Sequence, residues 1–215
     1  MIDEQCASVA ADLKILACKT GMLADAEHVH AVVANLKKYD FGPLTVDPVM
    51  IAKGGAPLLA DAAVATVRTE LIPLATVVTP NLPEAEKLTG LKITDNADMM
   101  AAGHALQDLG ARNVIIKGGH EANPQTANDF VLLADGSAFW LAAPRVDTVR
   151  THGTGDTLSA CITAELAKGQ SMAAAIKTAK AYVAGTIQDT IQVGHGHGPL
   201  NHWATPSDEV TVHDA

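Results

Sequence analysis

Aromatic side chains are scarce: the chain holds two Trp, two Tyr and three Phe among 215 residues. Its core must therefore be built from Ala, Val, Leu and Ile, which suit helices packed closely on a sheet buried on both faces. Cysteine is sparse as well. Cys6, Cys18 and Cys161 are odd in number and lack CxxC spacing. That argues against a disulfide framework or a structural zinc site and for reduced thiols in a cytoplasmic protein. Positive charge is thin, with 15 Lys and Arg against 24 Asp and Glu, a formal net charge of −9. The basic residues are scattered, and a nucleic-acid partner needs a concentrated basic face, so none is expected. No segment approaches the ~20 apolar residues of a membrane span, and no membrane partner is expected. The opening MIDEQCASVAADLK is acidic and lacks the apolar centre of a signal peptide. The GxxxxGK[ST] and GxGxxG nucleotide fingerprints are both missing.

What is present is a β-then-α rhythm. Ile15 to Lys19 reads as a buried strand, and Ala26, Val29, Val33 and Leu36 then recur at helical spacing. Leu44 to Pro48 is a second strand. Asp61 can cap a helix running to about Leu71. Thr76 to Pro80 is a third strand, Pro83 to Leu88 a helix stopped at Gly90, and Asp95 to Gly110 another. Asn113 to Lys117 is a fourth strand. Asp135-Gly136, between two apolar runs, marks a hairpin. Two long helices come next, Gly155 to Lys168 and Ser171 to about Ile191, and Gly194 to Ala215 shows no periodicity. The reading is one domain over residues 1–202 with a loose tail at 203–215. A mostly parallel sheet covered by helices on both faces is expected, with ligands beyond the carboxyl ends of its strands.

Three of those strand ends carry polar groups: Asp47, Thr79-Pro80-Asn81 and Lys117-Gly118-Gly119. A further motif, Thr151-His152-Gly153-Thr154-Gly155-Asp156-Thr157, opens the penultimate helix. Its glycines let the backbone approach a ligand. The unpaired N–H groups of the first helical turn favour an anion. Asp156 in that turn could accept the proton of an attacking hydroxyl. The histidines of GHGHGPLNH (His195, His197 and His202) lack a helical i,i+4 pair and a Cys partner, so a structured loop fits them better than a metal site.

The segment THGTGDTLSA resembles the anion-hole motif of ribokinase-like kinases. More narrowly, KTGML (19–23), VDPVMIAKGG (46–55), VTPNLPEAEKLTG (78–90), VIIKGGH (114–120), AKAYV (179–183) and GHGPLNH (196–202) resemble, in order and spacing, the hydroxymethylpyrimidine and phosphomethylpyrimidine kinases of thiamine biosynthesis. The resemblance implies a three-layer ribokinase-like α/β/α fold, ATP and Mg²⁺ as cofactors, a small pyrimidine as substrate and the homodimer usual in that family. It implies Asp156 as catalytic base and the backbone of Gly153, Thr154 and Gly155 as anion hole. Asp47 and Glu84 would hold Mg²⁺, Asp47 also bordering the substrate. Lys117 would meet the ATP phosphates, and Met22 the pyrimidine. Lys180, Val193 and Gly196 would border the nucleotide. Phosphoryl transfer is catalysed mainly by positioning and charge neutralisation, and these are the parts it needs.

The chain departs from that family twice. Its relatives usually carry Cys at the position of Asp156. A carboxylic acid is ionised at neutral pH without help, whereas a thiol needs activation, so the change is compatible with catalysis but shifts weight towards a pyridoxal or pyridoxine kinase of the same fold. The family's opening strand and glycine-rich loop would lie before Met1, so the chain as given is expected to turn over weakly or to be a non-catalytic nucleotide-binding remnant.

Overall fold

Side chains along the central strands alternate between two cores. In a computed structural model that describes residues 1–50, 59–118, 125–193, 195 and 198–215, with only the backbone of Asp61, helix α1 (Ile2–Asp12) leads into β1 (Cys18–Thr20), α2 (Ala26–Lys38), β2 (Leu44–Val46), α3 (Asp61–Thr66), β3 (Val77–Val78), α4 (Leu82–Thr89), α5 (Asn96–Asp108) and β4 (Asn113–Lys117). Then come β5 (Thr126–Leu132), β6 (Ala138–Pro144), α6 (Thr154–Ala167), α7 (Met172–Gln188) and β7 (Thr211–Asp214). The strands form one sheet in sequence order. β1 to β4 pair in parallel, whereas β4 to β7 pair antiparallel. The parallel arrangement read from the sequence thus covers the first half of the sheet.

The three layers arise from the pleat. Leu44, Val46, Val78, Val114, Ile116, Phe130 and Leu132 point to one face, where α2 to α5 supply Val29, Val33, Ala85, Leu88, Met99 and Leu106. Val77, Ile115, Val131 and Leu141 point to the other, where α6 and α7 supply Leu158, Ile162, Ile176, Ala179 and Val183. Period-two side chains on strands and period-3.6 stripes on helices produce this sorting. Caps set the helix starts. Asp25 accepts from His28 N–H, Asp95 from Asp98 N–H and Ser171 from Ala174 N–H. Asn81 and Glu84 form a reciprocal capping box at α4.

Several boundaries moved. The first strand lies later than expected, at 18–20. Cys18 is half-buried, and burial pushes its thiol up to about 11, so it is inert towards nucleophilic chemistry. Ala60, not Asp61, occupies the N-cap of α3, and the helix continues through a π turn (Val67–Leu71) and a 3-10 turn (Ile72–Leu74) that holds Pro73. The acidic start of the chain forms α1, which lies on α2 without burying any residue. The stretch 203–215, expected to be loose, contributes β7, which pairs with β6 from Ala142 to Phe139 while its own residues stay exposed. Among the described residues no helix is long and apolar enough to cross a membrane.

Candidate active site

The four parallel strands end side by side, and the residues at their carboxyl ends converge. Asp47 lies just past β2, its N–H bonded to Thr20 O at 3.2 Å. Thr79 lies just past β3 and donates from Oγ1 to Asp47 Oδ1 at 3.1 Å. Lys117 closes β4, its N–H bonded to Pro80 O at 2.8 Å, and its Nζ reaches the same Asp47 Oδ1 at 3.0 Å. Asp47 is 2% exposed. A buried charge needs a partner and hydrogen bonds, and Lys117 and Thr79 supply both.

Glu84 lies beside this pair on the first turn of α4. Its Oε2 accepts from Asn81 N–H at 2.8 Å. Burial raises its carboxyl above the ordinary range, opposed by the nearby Lys117 charge and the Asn81 N–H and reinforced by Asp47. The sequence Asn-Leu-Pro-Glu explains the placement: the capping box needs Asn and Glu three apart, and that spacing turns Glu84 inward.

The amino end of α6 comes down on this cluster from the other face of the sheet. Gly153 takes a left-handed φ of +89° and serves as the N-cap of α6, a conformation that suits glycine. Thr154 Oγ1 donates to Thr151 O at 3.1 Å. At Gly155 the approach is close. A Cβ there would stand 3.1 Å from Lys117 Nζ and 3.8 Å from Asp47 Oδ2. The first turn of α6, with the partial positive charge of its amides, and the Lys117 ammonium therefore lie close against each other. Asp156 extends from the same turn, largely exposed, and its Oδ1 lies 2.7 Å from the Nζ of Lys19 on β1.

Asp47 and Lys117, two of the strand ends singled out, are thus brought together with Glu84 and Gly155, while Asp156 on the same turn of α6 contacts Lys19. Lys180 is not in the crevice. It is buried on α7 beneath the sheet, where its Nζ donates to Asp129 Oδ2 at 2.7 Å and to Ala127 O at 3.1 Å. Asp129 in turn accepts from Gly118 N–H at 3.0 Å, so among the described residues Lys180 is linked to the Lys117-Gly118 segment through Asp129. Met22 stands exposed two residues beyond β1, and Val193 is exposed after α7. Gly196, with Gly119, His120 and His197, lies outside the described residues. His202 packs its ring near Tyr182, and its Nε2 lies 3.1 Å from Thr157 Oγ1, which ties the carboxyl-terminal loop to the first turn of α6. Sequence reasoning missed Lys19 and Asp129. Asp129 carried a signal, a charged residue in an otherwise apolar strand run; Lys19 carried none beyond its place in KTGML.

Known proteins resemble the chain along nearly its whole length. Residues 1–201 match the phosphomethylpyrimidine kinase family. A hydroxymethylpyrimidine/phosphomethylpyrimidine kinase of Haemophilus influenzae is 53% identical over 205 residues, which cover 94% of this chain and 76% of that protein. The protein of the same name from Bacillus subtilis is 46% identical, with 94% and 74% covered. The chain thus spans about three quarters of the length of these relatives. Among solved structures, a Staphylococcus aureus pyridoxal kinase in complex with AMP-PCP superposes with a TM-score of 0.89 at 31% identity, over 99% of this chain and 78% of that one. A phosphomethylpyrimidine kinase of Clostridium difficile superposes at 0.73 with 36% identity, over 84% and 73%.

Proposed function

This chain belongs to the phosphomethylpyrimidine kinase family, and on that footing we propose that it moves the γ-phosphate of ATP to the hydroxymethyl group of 4-amino-5-hydroxymethyl-2-methylpyrimidine, and a second one to the resulting monophosphate. The observation that carries this reading is the meeting of the α6 amino end with Lys117 and Asp47 across Gly155. An anion between them is held by helix amides on one side and an ammonium on the other, the arrangement phosphoryl transfer requires.

On this reading each residue takes one role. The Gly153 to Gly155 backbone receives the transferring phosphoryl group. Lys117 bridges the phosphates of the nucleotide, and its pairing with Asp47 fixes where its ammonium sits. Asp156 takes the proton of the acceptor hydroxyl as the new O–P bond forms and the bond to ADP breaks. Asp47 and Glu84 fit Mg²⁺, because that ion takes one or two carboxylates and otherwise keeps water and phosphate ligands. Bound there, the ion would neutralise charge on the nucleotide phosphates. Met22 borders the pyrimidine. The stretch of Val193 and Gly196 is assigned to the nucleotide by the family likeness alone, and Lys180 braces the Lys117-Gly118 segment through Asp129.

ATP consumption by the chain, with hydroxymethylpyrimidine and with pyridoxal as acceptors, tests the reading. Preference for the pyrimidine upholds it. Preference for pyridoxal would favour the second reading, a pyridoxal or pyridoxine kinase, to which Asp156 and the close overlap with the Staphylococcus aureus structure lend weight. Repeating the assay on a version extended at its amino terminus measures how far turnover depends on further residues.

A further inference from the structure

Lys19 is the one ammonium seen to touch Asp156 among the described residues, at 2.7 Å. It reaches the first turn of α6 from the far end of the parallel sheet. The Lys19 side chain is mostly buried, at 24% exposure, whereas that of Asp156 is 75% exposed. The lysine is therefore held by the fold, and the carboxylate is the partner free to meet a substrate.

The two transfers assigned to this site make opposite demands on Asp156. In the first, the nucleophile is an alcohol: its proton passes to the carboxylate, its oxygen bonds to the γ-phosphorus, and ADP leaves. In the second, the nucleophile is a phosphate oxygen, which is dianionic above about pH 6. It has no proton to surrender, and a bare carboxylate beside it is a like charge that opposes its approach. An ammonium in contact with that carboxylate removes the opposition without removing the base.

We propose that Lys19 is a positioning residue whose ammonium offsets the Asp156 charge, so that one site accepts both a neutral and an already phosphorylated acceptor. The proposal rests on the kinase reading of this site. It concerns acceptor charge, and is therefore separable from whether the enzyme turns over at all.

The test compares the wild type with Lys19→Met, Lys19→Arg and the double variant Lys19→Met/Asp156→Asn, each checked for a native thermal transition. The kinetics use hydroxymethylpyrimidine and its monophosphate at saturating ATP–Mg²⁺. Lys19→Met should lower kcat/KM for the monophosphate at least tenfold more than for the alcohol, chiefly through KM. Lys19→Arg should restore the ratio. The double variant should recover monophosphate turnover relative to Lys19→Met while alcohol turnover stays lost, because the uncompensated charge has gone along with the base. Equal losses on both acceptors, or no recovery in the double variant, overturn the proposal. If the wild type turns over neither acceptor, the assigned reaction fails, and calorimetric titration with the monophosphate decides the role of Lys19. Weaker binding by Lys19→Met sustains it, and equal binding by both proteins overturns it.

Discussion

Replacing Gly155 with alanine should separate stability from activity. The residue lies in the first turn of α6 with no left-handed φ, so its backbone accepts a side chain. Alanine is favoured over glycine by about 1 kcal/mol within a helix, and in a chain of this size each such step raises the midpoint by roughly 2–4 °C. The new methyl stands 3.1 Å from Lys117 Nζ, a few tenths of an ångström inside ordinary contact. The lysine tip can yield that much, although its 3.0 Å bond to Asp47 must adjust. A phosphoryl group held by both the amides and the ammonium would be displaced by the methyl. Displacement by about 1 Å costs on the order of 10²-fold in rate, or about 2.7 kcal/mol of transition-state stabilisation. Steady-state kinetics beside a thermal melt would read both effects. Full turnover in a folded Gly155→Ala protein would refute the placing of the phosphate. Gly153→Ala should act on stability in the opposite direction. Its Cβ would meet nothing within 4 Å, but its φ of +89° should cost roughly 1–2 kcal/mol of stability.

Lys180→Met should destabilise the fold by about 3–5 kcal/mol, because it strands the buried Asp129 charge; a thermal midpoint within a degree or two of wild type would contradict the pairing. The raised carboxyl of Glu84 gives a stability slope of known sign. The folded protein holds that proton more tightly than the unfolded chain. Stability should therefore fall as pH climbs from the ordinary value of 4.5 through the raised one, and Glu84→Gln should flatten that limb in urea titrations. Asp47→Asn should weaken both Mg²⁺-dependent turnover and stability, since it leaves the Lys117 ammonium with a neutral partner; unchanged kinetics would remove Asp47 from the site.

Much of the fold and site was legible because it is local. Asn113 to Lys117 alternates between two apolar faces and is a strand with the expected bounds. Asp135-Gly136 turns a hairpin whose Gly136 takes a φ of +85°. The motif around Gly155 opens α6 one residue earlier than its periodicity suggested. The strand ends Asp47 and Lys117 were identifiable because parallel sheets deliver their carboxyl ends to one crevice. The failures share another cause. Helix α1 buries no residue and follows no motif, β7 is exposed throughout and exists only through its pairing with β6, and the partners of Lys19 and Lys180 come from elsewhere in the chain. Local periodicity holds no record of such contacts.

The Lys19–Asp156 bond joins residues 137 positions apart, and α6 packs on β1 and β2 although most of the sheet lies between them in the chain. Pairings this distant form slowly, because the entropy of closure is lost before any contact compensates it. During synthesis the first half of the sheet emerges with one of its two faces still bare, awaiting α6 and α7. In refolding experiments, catalytic competence should therefore be the last signal to return, well after far-ultraviolet dichroism has recovered.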